Sequence, residues 1–381
     1  MNEASDSLLT SAATVIEPPP FQTLTFHTPP TMIIDCDIHV YANGKCPLEP
    51  FIPARFRDAL SFKQNSAPGH GYANPFGVDR RDLECETPAD VMRLHLDPLE
   101  ITYGVLQPQP GYSVSLVHAQ DVANVLAQAG NDWQIETYLR HDPRFLGSVC
   151  VNLGDPRAAA AEIRRVGGHP QMVQVITCGE QVHLFGHRAY DPVYEACCEM
   201  GLAFAAHPGA EGSLNSSTPV GRPSSYFEWH NSLPLTFQAH VGSLVAEGTF
   251  EKFPELRVVL VEGGVSWLAP LLWRMDKNFK ALRSTLPWLR ELPSEYVLRH
   301  CRLTTQPIEE PSNPDFLVQM YAMLQAERTV CFSTDFPHWD FDDPRRAFPS
   351  RLPQSLKDRI LYDNAAELYG LPARKPAEVT A

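Results

Sequence analysis

Eight short runs rich in β-branched and apolar residues recur along the chain, at 32–40, 101–109, 145–153, 172–178, 202–208, 257–264, 301–306 and 329–337. Between them lie stretches whose apolar residues return every three or four positions, the spacing of a helix with one buried face, at 119–140, 155–167, 190–201 and 268–283. Strands that alternate with helices pair in parallel through right-handed crossovers, and a closed (β/α)8 TIM barrel is the simplest α/β architecture for eight of them. An open doubly wound sheet is the alternative. Asp155-Pro156 and Asp191-Pro192 each predict an acid at the N-cap before a proline in the first helical position.

The Ser, Thr and Pro content of residues 1–31 predicts an extended or poorly ordered arm, leaving the barrel to 32–372 and a short tail to 373–381. Two long Gly- and Pro-containing loops, 62–90 and 209–233, leave the carboxyl ends of the first and fifth strands, the catalytic face of such a barrel. Lys and Arg total 31 against 45 Asp and Glu, a formal charge of -14 that argues against a nucleic-acid or anionic-membrane partner and for a small molecule. An odd count of nine cysteines, with Cys36, Cys150, Cys178 and Cys331 inside apolar runs, suits a reduced, cytoplasmic protein. The first residues lack a basic segment followed by a long apolar stretch, and no run of about 18 apolar residues occurs, so neither export nor membrane insertion is expected. A homo-oligomer is left open.

On the first strand Asp37 and His39 are two apart and are expected on one inward face, near the strand's end. Asp35 shares their parity but lies a layer deeper, where a buried carboxylate accepts structural hydrogen bonds. His207 ends the fifth strand above the small Ala203 and Ala205, and Asp335 ends the eighth on the parity of Cys331 and Ser333. Two imidazoles and two carboxylates at strand ends could converge on one divalent cation, leaving positions open for water or substrate.

The segments IDCDIHVY (34–41), AAHPG (205–209), FEKFPELRVVLVEGGVSWLAPLLWRMD (250–276), LTTQPIEEP (303–311), FSTDFPHWDFDDP (332–344) and NAAELYGL (364–371) together resemble the amidohydrolase superfamily. The likeness is to the branch that includes aminocarboxymuconate-semialdehyde and resorcylate-type decarboxylases. It implies a mononuclear site, usually zinc or manganese, on Asp37, His39, His207 and Asp335. Decarboxylases of that branch usually carry a histidine on strand six, where this chain has Glu262. No lysine ends strand four, which argues against a carbamylated-lysine binuclear centre. An anionic substrate beside Asp37, Glu262 and Asp335 would meet three acids against one divalent cation, a repulsion that a neutral amide, ester or ketone escapes. Glu262 could instead pair with Arg274 or with helix N-terminal amides.

His240, on a predicted helix before strand six, is a candidate proton shuttle. His338 could orient a ligand, Trp339 and Trp267 could wall a pocket, and Thr304, Thr305 and Gln306 could donate hydrogen bonds to substrate. His183 and His187 follow strand four, with a surface position the default. Neither a G-x-G-x-x-G nor a G-x-S-x-G motif occurs, so no cofactor beyond the metal is implied. The residues thus give a metal-dependent hydrolase, with Asp335 as proton carrier, narrowly ahead of a nonoxidative decarboxylase. A barrel that binds without turnover comes third.

Overall fold

The computed structural model describes residues 32–40, 48–57, 85–109, 111–209, 220–221 and 223–374. The expected arm at 1–31, most of the 62–90 loop, residues 210–219 and all but the first two residues of the tail lie outside the described residues. Eight parallel strands follow one another in sequence order around a single sheet: β1 (Ile34–Val40), β2 (Tyr103–Pro108), β3 (Phe145–Cys150), β4 (Met172–Cys178), β5 (Ala203–His207), β6 (Val258–Leu260), β7 (Cys301–Thr304) and β8 (Val330–Cys331). The sheet closes on itself where β1 meets the segment after β8: the Cys36 N–H donates to the Phe332 carbonyl at 3.0 Å and the His39 N–H to that of Phe336 at 2.7 Å. The TIM barrel expected from the alternation is the architecture observed, and the open sheet is excluded.

Helices cover the outside through an apolar layer that includes Ile38, Leu106, Val149, Val175, Phe204, Leu260 and Leu303. Inside, Cys150, Ile176, Ala203, Ala205 and Val259 pack together, and Leu368 and Tyr369 from the last helix, Asn364–Tyr369, pack against them. The helix Pro156–Val166 starts as expected, with the Asp155 carboxylate accepting from the Ala158 N–H at 3.2 Å. Asp191 departs from expectation. It is the first residue of the helix Asp191–Met200, the N-cap is Tyr190, and the acid pairs with Lys252 at 2.7 Å. The predicted loops are also shorter than expected. The Thr87 hydroxyl caps the helix Pro88–Val91, and a 21-residue helix, Tyr226–Ala246, begins inside the 209–233 stretch and runs through Pro234.

One correction bears directly on the site. The register of β1 against β2 shifts between Asp35 and Ile38, so parity along the strand is broken. Ile34 and Cys36 pack in one cluster, with Val105, Leu146 and Cys331, while Ile38 and Val40 join the outer layer. Asp35 therefore does not share the face of Asp37 and His39. It accepts from His95 Nε2 (2.6 Å), the Thr334 hydroxyl (2.6 Å), the Thr334 N–H (2.9 Å) and the Asp37 N–H (3.1 Å), which ties β1 to the start of the turn that carries Asp335. Its expected structural role stands, with a different geometry.

Candidate metal centre

At the carboxyl ends of the strands Asp37, His39, His207, Glu262 and Asp335 come together, all buried, with one ligand atom from each lying within 4.8 Å of the others. Donors 2.0–2.2 Å from a common cation sit about that far apart or closer. His39 Nε2 lies 3.4 Å from Asp37 Oδ1 and 3.0 Å from Asp335 Oδ1, and His207 Nε2 lies 2.7 Å from Glu262 Oε2 and 3.7 Å from Asp37 Oδ2.

Two features fit this set to a cation. Both carboxylate oxygens of Asp37 are buried without a well-formed hydrogen bond, a costly arrangement unless an ion takes the lone pairs. His207 Nδ1 bonds the Pro208 carbonyl at 2.6 Å; that contact fixes the proton on Nδ1 and leaves the Nε2 lone pair for a metal. The neighbouring charges agree. Burial pushes the Asp37 carboxyl up to about 7, against the pull of His207, and burial followed by the Glu262 charge holds Asp335 well above the carboxylate range. Burial alone would lower His207, but Glu262 and Asp37 override it and raise it; His39, flanked by His338 and His207, is lowered by burial. A bound cation would favour the ionised form of Asp37.

Two of the five side chains reach the centre from strained backbone rather than from strands. Glu262 has φ 59° and Asp335 φ 61°, left-handed values that cost a non-glycine residue about 1–3 kcal/mol. The parity argument for Asp335 fails for this reason: β8 ends at Cys331, and a turn, not a strand, aims the carboxylate. The turn at Glu262 is held on several sides. Its N–H donates to Thr304 Oγ1 (3.0 Å), Trp267 Nε1 donates to the carbonyls of Gly263 and Gly264 (3.1 Å each), and Glu309 Oε1 accepts from the N–H groups of Val265 (3.0 Å) and Ser266 (2.7 Å). Arg274 is exposed and is not the partner of Glu262, which faces His207.

The remaining candidates divide. His338 Nδ1 is 2.6 Å from Asp335 Oδ1, its ring 4.1 Å from that of His39, and Gln306 Nε2 donates to Asp335 Oδ2 at 3.3 Å. His240 is turned elsewhere. Its Nε2 bonds the Gly179 carbonyl (2.6 Å), its Nδ1 accepts from the Phe185 N–H (3.2 Å), and burial lowers it to about 4, so both nitrogens serve the backbone and no shuttle position results. Thr305 is occupied by Ser333, and Trp267 clamps the Glu262 turn instead of lining a pocket. Trp339 is 40% exposed and donates to the Tyr226 hydroxyl. His183 and His187 stack on each other, both exposed, as the default reading held.

Sequence reasoning missed Tyr112, whose ring lies 4.9 Å from that of His207, and Gln109, which reaches the Tyr112 hydroxyl (2.8 Å) and His39 Nδ1 (3.4 Å). Their position directly after β2 was the available signal. His95, 60 residues from its partner Asp35, left none.

The family profile described as Amidohydrolase matches residues 34–371. The chain belongs to the amidohydrolase family. The chain is 25% identical over 280 residues to gamma-resorcylate decarboxylase of Rhodococcus jostii (strain RHA1), covering 68% of this chain and 80% of that one. It is 24% identical over 314 residues to 2-amino-3-carboxymuconate-6-semialdehyde decarboxylase of Dictyostelium discoideum, covering 77% of this chain and 79% of that one. Among solved structures it resembles an amidohydrolase from Mycobacterium avium subsp. paratuberculosis K-10 (TM-score 0.70, 19% identity, 89% of this chain and 99% of that one). It also resembles 5-carboxyvanillate decarboxylase of Novosphingobium aromaticivorans DSM 12444, solved with manganese (TM-score 0.66, 18% identity, 90% and 96%).

Proposed function

We propose that this member of the amidohydrolase family is a metal-dependent nonoxidative decarboxylase of a small aromatic or unsaturated carboxylic acid. Asp37, His39, His207 and Asp335 would hold one divalent cation, manganese or zinc, within a catalytic unit spanning 32–372. The observation that carries the reading is the buried donor set for a single cation, in which the Asp335 carboxylate is held by His338 and Gln306. The decarboxylase relatives move the balance away from the hydrolase that residue chemistry alone narrowly favours.

The cation, when bound, would anchor the substrate's carboxylate and an adjacent oxygen as a Lewis acid. Asp335 gives its proton to the carbon that bears the carboxylate. The carbon–carbon bond then breaks, carbon dioxide leaves, and the bonding pair restores the ring or double bond. Asp335, left ionised, regains its proton from solvent. His338 and Gln306 hold the Asp335 carboxylate in place during both transfers.

Glu262 supports a second reading, hydrolysis of a neutral substrate with Glu262 or Asp335 as base. Two substitutions separate them. Asp335→Asn is expected to lower carbon dioxide release by about 100-fold or more with the fold intact, as judged by circular dichroism. Glu262→Gln leaves decarboxylation unharmed or lowers KM for the anion, whereas a hydrolase would lose about 10-fold in kcat/KM. Wild-type-like release of carbon dioxide from Asp335→Asn would remove this acid from the mechanism. The charge of -14 and the free thiols support a cytoplasmic enzyme with no nucleic-acid or membrane partner, whether single or homo-oligomeric.

A further inference from the structure

A histidine binds a cation through the nitrogen that carries no proton, and the group beside its other nitrogen decides which one that is. At His207 the neighbour of Nδ1 is the Pro208 carbonyl, 2.6 Å away, which can only accept. At His39 it is the side-chain amide of Gln109, with Nε2 3.4 Å from Nδ1. An amide has a donating end and an accepting end of almost the same shape, so its two orientations dictate opposite tautomers. With the nitrogen toward His39 the amide donates to Nδ1. The imidazole proton then belongs on Nε2, which faces Asp335 Oδ1 at 3.0 Å and Asp37 Oδ1 at 3.4 Å. With the oxygen toward His39 the amide accepts from an Nδ1–H, and the Nε2 lone pair is left for a cation.

Gln109 is held where either orientation fits. Its backbone N–H donates to the Val40 carbonyl at 3.0 Å, which pins it to β1 just past the end of β2. The end of its amide that faces His39 also lies 2.8 Å from the Tyr112 hydroxyl, a group that accepts from an N–H or donates to an oxygen by rotating its own proton. Tyr112 is buried, on the short helical turn Gly111–Leu116, with its ring 4.9 Å from that of His207. A Cβ on Gly111 would stand 2.4 Å from Cys150 Sγ, so a glycine there lets the turn press against β3 and bring the hydroxyl to the amide. Half a turn about the last side-chain bond of Gln109 therefore exchanges the amide ends and keeps the contact to Tyr112.

We propose that Gln109 is a positioning residue that sets the tautomer of His39 for the metal. In the loaded centre its Oε1 accepts from His39 Nδ1–H and from the Tyr112 hydroxyl. That orientation leaves Nε2 to the cation and makes the imidazole a better donor. The inference rests on the metal centre and on no particular reaction, so it holds for loss of carbon dioxide and for hydrolysis alike.

The test is the Mn2+ affinity of the full chain, stripped of metal and titrated with Mn2+ while the unbound ion is followed by electron paramagnetic resonance. Gln109→Leu, which keeps the bulk and removes the acceptor, is expected to bind about 10-fold more weakly or worse, the usual effect of losing the partner of a ligating histidine. Gln109→Glu can only accept and is expected to bind at least as tightly as the wild type. A side chain that merely fills space would leave the glutamate variant no tighter than the leucine one, and that result overturns the proposal. Mn2+ kept in full by His207→Ala overturns the centre and the proposal together; Mn2+ lost there but held normally by Gln109→Leu overturns the proposal alone. A second readout needs no variant to fold. In wild-type protein with nitrogen-15-labelled histidine and loaded with diamagnetic Zn2+, the buried His39 Nδ1–H is expected as a downfield, slowly exchanging proton signal. A His39 Nδ1 that carries no proton overturns the assignment.

Discussion

The imidazole of His207 is oriented by one hydrogen bond from Nδ1 to its own neighbour's carbonyl, and His39 is wedged between Asp37, Asp335 and the ring of His338. Each is buried and presents Nε2 to the same small space, so removing either should open the donor set and leave a weakly held cation. Protein purified without chelator should carry about one divalent ion per chain, and His39→Ala or His207→Ala should lose most of it by elemental analysis. Full occupancy in both variants would show that the centre has been misplaced. These four family positions were readable in the sequence because each lies at or near the end of an apolar run. Glu262 was readable as a residue but not as a donor: its direction depends on a left-handed backbone that strand parity cannot anticipate.

At the scale of elements, the centre depends on two turns that replace strand ends. In the first, Gly264 has φ 59°, and an added Cβ would stand 2.8 Å from Glu309 Oε1, the oxygen that holds the Val265 and Ser266 N–H groups. Gly264→Ala should therefore cost about 1–2 kcal/mol in urea unfolding, because the displaced Glu309 releases the turn that aims Glu262. Unchanged stability would argue that the turn is not held this way. The second turn returns past Asp342, whose Oδ2 accepts from the Ile308 N–H at 3.0 Å and whose carboxyl burial pushes up to about 7. A carboxyl with a raised folded pKa contributes stability that is complete below about pH 4, its unfolded value, and is lost as pH rises through about 7. Asp342→Asn keeps the acceptor and abolishes this titration, so relative to wild type it should be more stable at pH 8 than at pH 5. An offset that is the same at both pH values would contradict the assignment. Neither turn was legible beforehand: runs 257–264 and 329–337 read as continuous strands because their residues are apolar and β-branched, whereas β6 and β8 stop at Leu260 and Cys331.

Across the whole molecule, the barrel was legible because eight apolar runs and their helical spacers are a pattern that few folds satisfy. The break in β1 was not, since a register shift changes which side chains face inward without changing composition. Its outcome is that Asp35, accepting from His95, Thr334 and the Asp37 backbone, holds the first strand against the segment bearing Asp335. Barrel closure and donor geometry are thereby secured by the same few bonds. The central claim, that this centre serves loss of carbon dioxide and not addition of water, is tested by incubating the Mn2+-loaded protein with hydroxybenzoates in oxygen-18 water and analysing headspace and product together. The account predicts one carbon dioxide per product formed, with no water-derived oxygen in the organic product. A product that carries the label and appears without carbon dioxide would contradict it.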